Sequence, residues 1–408
     1  MTETADNRQD VLLVGFGAVG ALYGWLLEQS KGVRVTAVAR SNYKTVQEQG
    51  VQIESAKFGK HSWQPYRVLH DVHQAADRDY KFILCTYKHL PDVTPTQDIL
   101  GPCLHRSNCF VLLQNGIGIE EPLQELVPHA TIISAAIWVG ANLKESRRVV
   151  HNDLYQELLV VGRFKGEKRG PNHQMVTSKM PEADADRLLE DLVKLLHAGN
   201  SNTLPVSDIQ PVRWKKNLWN ATFSSLATLA GEPMSVLMRD ENVNNVIPIA
   251  RRTMLEILFV ARSMDINEDK LPATAVDEQL SLTLSQFGGI QHANEQRIGE
   301  SEEAAAGRAA FKPSMLVDHD NNRPMELQCI VGSIVQRARE FSVETPRIDM
   351  AYSILSVKQR KFVELAGAAQ HKPTARMSAE LAQRFARSDS PVVPSGTPLD
   401  LPSTPTKI

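Results

Sequence analysis

Residues 11–20 read VLLVGFGAVG, a glycine-rich turn between an apolar run and the helix-like stretch ALYGWLLEQ at 21–29. Gly15, Gly17 and Gly20 have the spacing GxGxxG in this strand–turn–helix context. In such a unit the first glycine permits a tight turn, the second lets the backbone approach a pyrophosphate, and the third lets helix and strand pack closely. The stretch therefore predicts a dinucleotide-binding turn, whose residues are Gly15, Phe16, Gly17, Ala18, Val19 and Gly20.

Further apolar runs follow this turn as far as residue 139. They are VRVTAVAR (33–40), KFILCTY (81–87), CFVLLQN (109–115) and TIISAAIWV (131–139), and stretches of helix length separate them. Strands of such continuous apolarity are typical of a parallel sheet that helices cover on both faces. The pattern predicts an α/β Rossmann-like domain over residues 10–205.

The second half of the chain lacks this alternation. Apolar residues at three- and four-residue spacing indicate packed helices and an all-α domain over residues 206–370; the stretches are 212–231, 245–264, 325–341 and 347–365. The polar stretch 163–180 predicts a long exposed loop. We expect a flexible terminus over residues 1–9 and a disordered tail over 371–408, where Pro, Ser and Thr are frequent.

The composition is typical of a globular protein that acts on a small molecule. The 408 residues are 42% hydrophobic and 23% charged, with a formal net charge of -2, no basic stripe and no apolar run that could span a bilayer. We therefore expect neither a nucleic-acid nor a membrane partner. The polar N-terminus MTETADNRQD does not match a secretory signal, so we expect a cytoplasmic protein. Four cysteines without CxxC spacing favour buried thiols over disulfides or a metal site; they are Cys85, Cys103, Cys109 and Cys329.

Arg40 ends the second strand-like run, where a site that prefers NAD has an acidic residue for the ribose hydroxyls. Because a guanidinium there can pair with a 2′-phosphate, the expected cofactor is NADPH rather than NADH. Two alternatives stay open. Arg40 could be a solvated residue at a strand end, and the same turn could bind FAD.

Candidate reactive groups lie in the helical half. Lys216, Asn220 and Ser224 are four residues apart in RWKKNLWNATFSS, so a helix would place them on one face. A cation, an amide and a hydroxyl in that arrangement suit a carbonyl substrate. A solvated polar stripe has the same pattern and is the alternative.

Two further segments favour a substrate site over a solvated polar stripe. KPSMLVDHDNNRPMEL carries Ser314 and Glu326 around a predicted loop, and VLLQNG puts Asn115 at the end of a strand, where open α/β sheets bind ligands. Together with VGFGAVGALYG, TYK and WKKNLWN, these segments resemble the ketopantoate reductase (2-dehydropantoate 2-reductase) family over about residues 10–366. The resemblance implies a Rossmann-like N-terminal domain, an α-helical C-terminal domain of the 6-phosphogluconate-dehydrogenase-like kind, and NADPH-dependent reduction of a 2-oxo acid.

The resemblance also implies roles for individual residues. Lys216 matches the family's catalytic lysine, which acts as general acid towards the substrate oxygen, and Glu326 matches its active-site glutamate. The substrate-binding positions correspond to Asn220, Ser224 and Ser314, and two positions of the cofactor cleft correspond to Lys88 and Asn115.

Two positions depart from the family pattern and leave the substrate open. Ser224 stands where the family most often has a second asparagine, and Gln328 stands where it often has an acid. The leading expectation is reduction of 2-dehydropantoate to pantoate, a step of pantothenate synthesis. The alternatives are a reductase of another branched or aromatic 2-oxo acid, and an NADPH-binding protein without turnover. We expect a monomer or a homodimer.

Overall fold

Twelve strands form two sheets in the first half of the chain. The computed structural model describes residues 7–152, 157–170, 173–288 and 302–368. The strands are β1 (Gln9–Val14), β2 (Val33–Val38), β3 (Val51–Ser55), β4 (Gly59–Trp63), β5 (Arg67–Leu69), β6 (Phe82–Cys85), β7 (Cys109–Leu112), β8 (Thr131–Trp138), β9 (Gly140–Lys144), β10 (Arg148–Asn152), β11 (Leu158–Arg163) and β12 (Thr203–Pro205).

The larger sheet has eight strands in the order β12-β11-β8-β7-β6-β1-β2-β5. Strand β1 pairs in parallel with β2 on one side and with β6 on the other. The strand order therefore changes direction at β1, and a crevice opens at the carboxyl end of such a strand. The five apolar runs of the sequence are β1, β2, β6, β7 and β8, so the predicted parallel α/β sheet is confirmed.

A second sheet of four strands, in the order β4-β3-β10-β9, was not predicted. Its strands are short, and most of β4 is exposed, so no continuous apolar run marks them. The pairing of β3 with β10 is parallel and joins segments that are about 95 residues apart in sequence. The sheet packs beside the first helix of the Rossmann-like unit, which contacts both β9 and β10.

Helices cover the larger sheet and make up the second half of the described chain. They are α1 (Ala18–Gln29), α2 (Tyr43–Gln49), α3 (Thr96–Leu100), α4 (Glu121–Leu126), α5 (Glu182–Ala198), α6 (Gln210–Trp219), α7 (Ser225–Ala230), α8 (Met234–Leu237), α9 (Asp240–Ser263), α10 (Thr274–Phe287), α11 (Glu302–Ala309), α12 (Ser314–Asp320), α13 (Ser333–Glu340) and α14 (Pro346–Ala368). Two π-helical turns join this set: Asn220–Ser224 connects α6 to α7, and Gln328–Gly332 leads into α13. The predicted mostly helical second half is confirmed.

One hydrophobic core continues from the sheet into the helices. Leu12 and Phe110, on one face of the sheet, belong to the same buried cluster as Trp214 and Met254 of the helical half. The other face of the sheet packs on α1 and α5 in a separate cluster. Residues up to Ala366 group as one compact unit, so a division into two domains at residue 205 stays a prediction.

The stretch 163–180 departs from the sequence prediction. After β11 its described residues have no regular secondary structure, as expected, but not all of them are exposed. Glu167 is buried and accepts hydrogen bonds from Arg337, and Arg169 forms an ion pair with Glu340. These polar residues therefore anchor the stretch to α13, which lies about 170 residues further along the chain.

The four cysteine thiols are buried and unpaired, as predicted. None of the helices in the described ranges is long and apolar enough to cross a membrane. The predicted tail at 371–408 and most of the predicted flexible terminus at 1–9 lie outside the described residues.

Candidate active site

The glycine-rich turn lies at the carboxyl end of β1, and its three glycines have different surroundings. Gly15 has a φ of +99°, and a Cβ there would lie 2.4 Å from the backbone nitrogen of Tyr87. A Cβ on Gly20 would lie 2.3 Å from the carbonyl oxygen of Gly15. A Cβ on Gly17 would meet nothing within 4 Å. The first and third glycines are thus required by packing, whereas the second leaves open space that fits a pyrophosphate.

The neighbours of the turn hold its shape. Asn42, after β2, donates a hydrogen bond through Nδ2 to the carbonyl oxygen of Phe16 at 3.0 Å. Ala18 and Val19 begin α1, whose first N–H groups have no acceptor within the helix and are available to a phosphate. Arg40 lies two residues after the end of β2 and is exposed, and its guanidinium has no ion pair within the described ranges. These features suit a bound dinucleotide with a phosphate near Arg40.

Lys216, Asn115 and Glu326 form a connected chain of side chains. The amine of Lys216 donates a hydrogen bond to Oδ1 of Asn115 at 3.0 Å. The amide nitrogen of Asn115 donates to Oε2 of Glu326 at 3.2 Å, and the backbone N–H of His89 lies 3.4 Å from the other carboxylate oxygen. The asparagine therefore bridges a cation on α6 and a carboxylate that precedes α13.

Burial shifts the titration of both ionisable ends of this chain. It lowers the pKa of Lys216 to about 7, and the charge of Arg213 acts in the same direction while that of Glu326 opposes it. Burial raises the pKa of Glu326, and the charge of Lys88 opposes that shift. An amine with a pKa near neutrality can hold a proton and release it during a reaction, which is the property of a general acid.

Gly116 explains how the turn after β7 approaches the helical half. It has a φ of +95°, and a Cβ there would lie 2.6 Å from the carbonyl oxygen of Cys329. The next residue, Ile117, donates its backbone N–H to that same oxygen at 2.8 Å. Because Cys329 lies only three residues after Glu326, this contact brings Asn115 within reach of the carboxylate.

A small cleft opens beside the lysine. Its lining includes Asn115, Ala135, Ala136, Lys216 and Asn220. It is bounded by the carboxyl-end region of β7 and β8 on one side and by α6 on the other. The side chains of Lys216, Asn115 and Asn220 give this cleft a cation and two amides that can bind an organic acid.

The structure brings only some of the predicted substrate residues to this cleft. Asn220 lines it, one helical turn after Lys216. Ser224, another turn on, is buried at 2% exposure and is not among the lining residues, so its role towards the substrate stays a prediction. It is buried because the π-helical turn ending at Ser224 packs into the helical core. Ser314 is exposed at the start of α12 and also lies outside the lining.

Lys88 contacts the helical half. Its amine forms an ion pair with Asp318 of α12, whose carboxylate is buried. Arg323 approaches the same carboxylate at 3.4 Å. The contact that the structure records for Lys88 is thus with α12 and not with the glycine-rich turn, and its predicted role in the cofactor cleft stays a prediction.

Two residues of the site had not been identified in the sequence. Arg213 lies on α6 one turn before Lys216 and donates hydrogen bonds to the carbonyl oxygens on either side of Asn115. Its spacing of three residues from Lys216 could have suggested that the two side chains are neighbours. Trp138 ends β8, and its ring centroid lies 5.8 Å from the amine of Lys216. Successive side chains of a strand point to opposite faces of the sheet. Because Ile137 packs on one face, Trp138 and Ala136 share the other.

Comparisons with known proteins agree on one family. The model for ketopantoate reductase PanE/ApbA matches residues 11–166, and the model for the C-terminal part of the same family matches residues 208–359. The 2-dehydropantoate 2-reductase of Nostoc sp. is 25% identical over 348 residues, which cover 85% of this chain and 94% of that protein.

Solved structures show the same fold. The 2-dehydropantoate 2-reductase of Methylococcus capsulatus superposes with a TM-score of 0.67 at 23% identity, covering 86% of this chain and 97% of that one. D-mandelate dehydrogenase in a ternary complex with NADH and anilino(oxo)acetate superposes with a TM-score of 0.64 at 18% identity, covering 86% and 99% of the two chains.

Proposed function

This chain belongs to the ketopantoate reductase PanE/ApbA family and is an oxidoreductase of that kind, and from this premise we propose that it reduces 2-dehydropantoate to pantoate with NADPH. The observation that carries the proposal is the chain of contacts from Lys216 through Asn115 to Glu326 in a cleft beside the sheet. A cation, an amide and a carboxylate in contact are the groups that reduction of a 2-oxo acid needs from the protein.

Lys216 is the proposed proton donor. A bound nicotinamide dinucleotide supplies the hydride. The ammonium of Lys216 stabilises the negative charge that develops on the carbonyl oxygen and transfers its proton to that oxygen. The depressed pKa of Lys216, about 7, favours this transfer because the amine releases its proton more readily than an ordinary lysine does.

Asn115 and Glu326 orient the donor. The amide of Asn115 can satisfy both neighbours only with Oδ1 towards Lys216 and Nδ2 towards Glu326. Glu326 thereby fixes the amide, and through it the direction of the amine. We assign Asn220, which lines the cleft one turn further along, to the substrate, and we keep Ser224 and Ser314 as predicted substrate residues.

Residues of the glycine-rich turn would hold the cofactor. The open space at Gly17 and the start of α1 receive the pyrophosphate, and Asn42 keeps the carbonyl group of Phe16 in place. The exposed guanidinium of Arg40 is available for a 2′-phosphate, which favours NADPH over NADH.

A second candidate substrate is a 2-oxo acid with a larger apolar group. The indole of Trp138 beside the amine of Lys216 favours it, because a ring at that place can pack against a substrate side chain. Gln328 is consistent with it, since its side chain accepts a hydrogen bond from Tyr352 at 2.7 Å and presents no acid to the substrate. D-mandelate dehydrogenase, of the same fold, binds anilino(oxo)acetate.

A panel of 2-oxo acids tests the proposal. The purified full chain is mixed with NADPH or NADH and with 2-dehydropantoate, branched, aromatic or small 2-oxo acids, and cofactor oxidation is followed. We expect the highest kcat/KM with 2-dehydropantoate and NADPH. A clear preference for an aromatic or branched acid would support the second candidate. Cofactor binding without oxidation on any acid would contradict both and favour a protein without turnover.

A further inference from the structure

The guanidinium of Arg213 holds three backbone carbonyl groups beside the cleft. Arg213 lies on α6, one turn before Lys216, and is 3% exposed. Its Nη2 donates to the carbonyl oxygens of Gln114 at 3.1 Å and Gly116 at 2.5 Å. Its Nη1 donates to the carbonyl oxygen of Ala135 at 2.8 Å. A single planar group therefore joins α6 to the turn after β7 and to β8.

A buried carboxylate balances this charge. Oε1 of Glu120 lies 3.1 Å from Nε of Arg213, and both side chains are nearly inaccessible to solvent. Ser134 links the two, because its hydroxyl donates to Glu120 at 2.6 Å and accepts from Nη1 of Arg213 at 3.0 Å. Gln210 donates to the same carboxylate oxygen at 3.2 Å. Burying a charge pair costs free energy, and apolar residues of similar size often stabilise a fold equally well. Stability alone therefore does not explain why Arg213 and Glu120 are buried here.

The position of the bonded carbonyl groups indicates that role. Gln114 and Gly116 are the residues on either side of Asn115, and Arg213 holds both of their carbonyl oxygens. Lys216 extends from the same helix to the side chain of Asn115. Arg213 thus fixes the backbone of the residue that receives the hydrogen bond of Lys216, and it does so from the helix that carries the lysine.

We propose that Arg213, paired with Glu120, is a positioning residue that holds Asn115 and the proton-donating amine of Lys216 in register across the cleft. The inference rests on the proposed function, in which Lys216 gives the proton. Arg213 lines the cleft, but its Nη1 and Nη2 donate to backbone carbonyl groups, and Glu120 is not among the lining residues. Their effect passes through the backbone of the turn after β7 and through the electrostatic field at the amine.

Two charges act directly on the amine of Lys216. Arg213 on α6 disfavours the ammonium form, and Glu326, before α13, favours it. Lys88 after β6 and Asp318 on α12 act on Glu326 rather than on the amine directly. Removing the cation of Arg213 should therefore raise the pKa of Lys216, whereas removing only its counter-ion Glu120 should lower it.

Acylation measured at individual lysines tests the predicted changes in the pKa of Lys216 and does not depend on turnover. The full-length protein is labelled briefly with acetic anhydride at a series of pH values, and the fraction acylated at Lys216 is measured by mass spectrometry against the exposed Lys44. Since only the free amine reacts, the midpoint reports its protonation. We expect a midpoint near pH 7 in the wild type. Arg213→Met should move the midpoint up by about one pH unit, and Glu120→Gln should move it down.

Turnover tests the positioning part. Arg213→Lys keeps a cation but cannot span three carbonyl groups, so kcat should fall about tenfold or more while the acylation midpoint stays near that of the wild type. Arg347→Met is the matched control, because it removes an arginine from another ion pair, with Glu256, that contacts no residue of the cleft. This control should leave both kcat and the midpoint unchanged.

The outcomes separate this inference from the proposed function. Equal midpoints in the wild type, Arg213→Met and Glu120→Gln would overturn it, and so would an unchanged kcat in Arg213→Lys. If Arg213→Met does not fold, Glu120→Gln, which keeps the shape of the side chain, supplies the decisive midpoint. If the wild type fails to oxidise NADPH with every 2-oxo acid of the panel, the proposed function is contradicted. The acylation result would still decide whether Arg213 controls the protonation of the Lys216 amine.

Discussion

The amine of Lys216 lies 3.0 Å from Oδ1 of Asn115, and this hydrogen bond joins residues 101 positions apart in the chain. One partner projects from a helix of the second half and the other from a turn after a strand of the first half. The amide is held from its other side by Glu326. A proton donor fixed in this way has a defined direction before any substrate arrives, which is what preorganised catalysis requires.

Replacing Lys216 by alanine should lower kcat about 100-fold or more, because the amine acts on charge that appears only during the reaction. NADPH affinity, measured by calorimetry, should stay nearly unchanged. Lys215→Ala is the matched control, since the neighbouring lysine pairs with Glu278 at the surface. An equal kcat in Lys216→Ala and the wild type would remove the lysine from the mechanism.

The pH profile follows from the depressed pKa of Lys216. A general acid must be protonated, so reduction should be fastest below the pKa of about 7 and should fall as the pH rises through that value. Oxidation of the hydroxy acid needs the free amine and should rise over the same range. Initial rates in both directions between pH 5 and 9 check this, and a profile of reduction that is flat through pH 7 would speak against the assignment.

The glycines of the turn provide a matched pair of variants. Gly17→Ala adds a methyl group to open space, so melting should be unchanged while NADPH binds more weakly. Gly15→Ala places the methyl group 2.4 Å from the backbone of Tyr87 at a positive φ, so the free energy of unfolding should fall by about 1–3 kcal/mol. Thermal melting and cofactor titration distinguish the two. Equal NADPH affinity in Gly17→Ala and the wild type would exclude this turn as the phosphate site.

Arg40→Ala should weaken the binding of NADPH about tenfold or more, the equivalent of one hydrogen bond to a charged group, and should leave NADH nearly unaffected. Lys44→Ala removes an exposed charge from the helix that follows and serves as the control. Dissociation constants for both cofactors are the measurement. If both cofactors lose affinity alike, Arg40 does not contact the 2′-phosphate.

Trp138→Ala should change the substrate preference. Removing the indole should lower kcat/KM for 2-oxo acids with large apolar groups about tenfold relative to small ones, because their packing surface is lost. Trp138→Phe, which keeps an aromatic ring, should recover most of that loss. An identical ranking of substrates in Trp138→Ala and the wild type would show that the indole does not contact the substrate side chain.

Much of the fold could be predicted because its signals are local. The five central strands of the larger sheet are continuous apolar runs, and the glycine spacing follows the first of them directly. The family resemblance supplied the set Lys216, Asn115 and Glu326, and the structure brings these three together. Their roles stay predictions until the variants above are measured.

Features that depend on distant parts of the chain could not be predicted in the same way. The pairing of β3 with β10 joins short strands that no continuous apolar run marks. The spacing of three residues from Lys216 could point to Arg213, but it does not reveal the main-chain carbonyl oxygens that Arg213 binds, because no side-chain pattern encodes their positions. The burial of Ser224 could not be predicted, because equal spacing along a helix does not say which turn of that helix is covered by its neighbours.

The uninterrupted core between the sheet face and the helices limits how this protein can change through recombination. A chimaera that exchanged the helical half with a distant relative at residue 205 would set foreign side chains against Phe110 and its neighbours, which pack in the same cluster as Trp214. Substitutions on the two sides of this junction should therefore co-vary among relatives. Crossovers that keep the inner sheet face and the helices from one parent should yield folded hybrids more often than those that divide them.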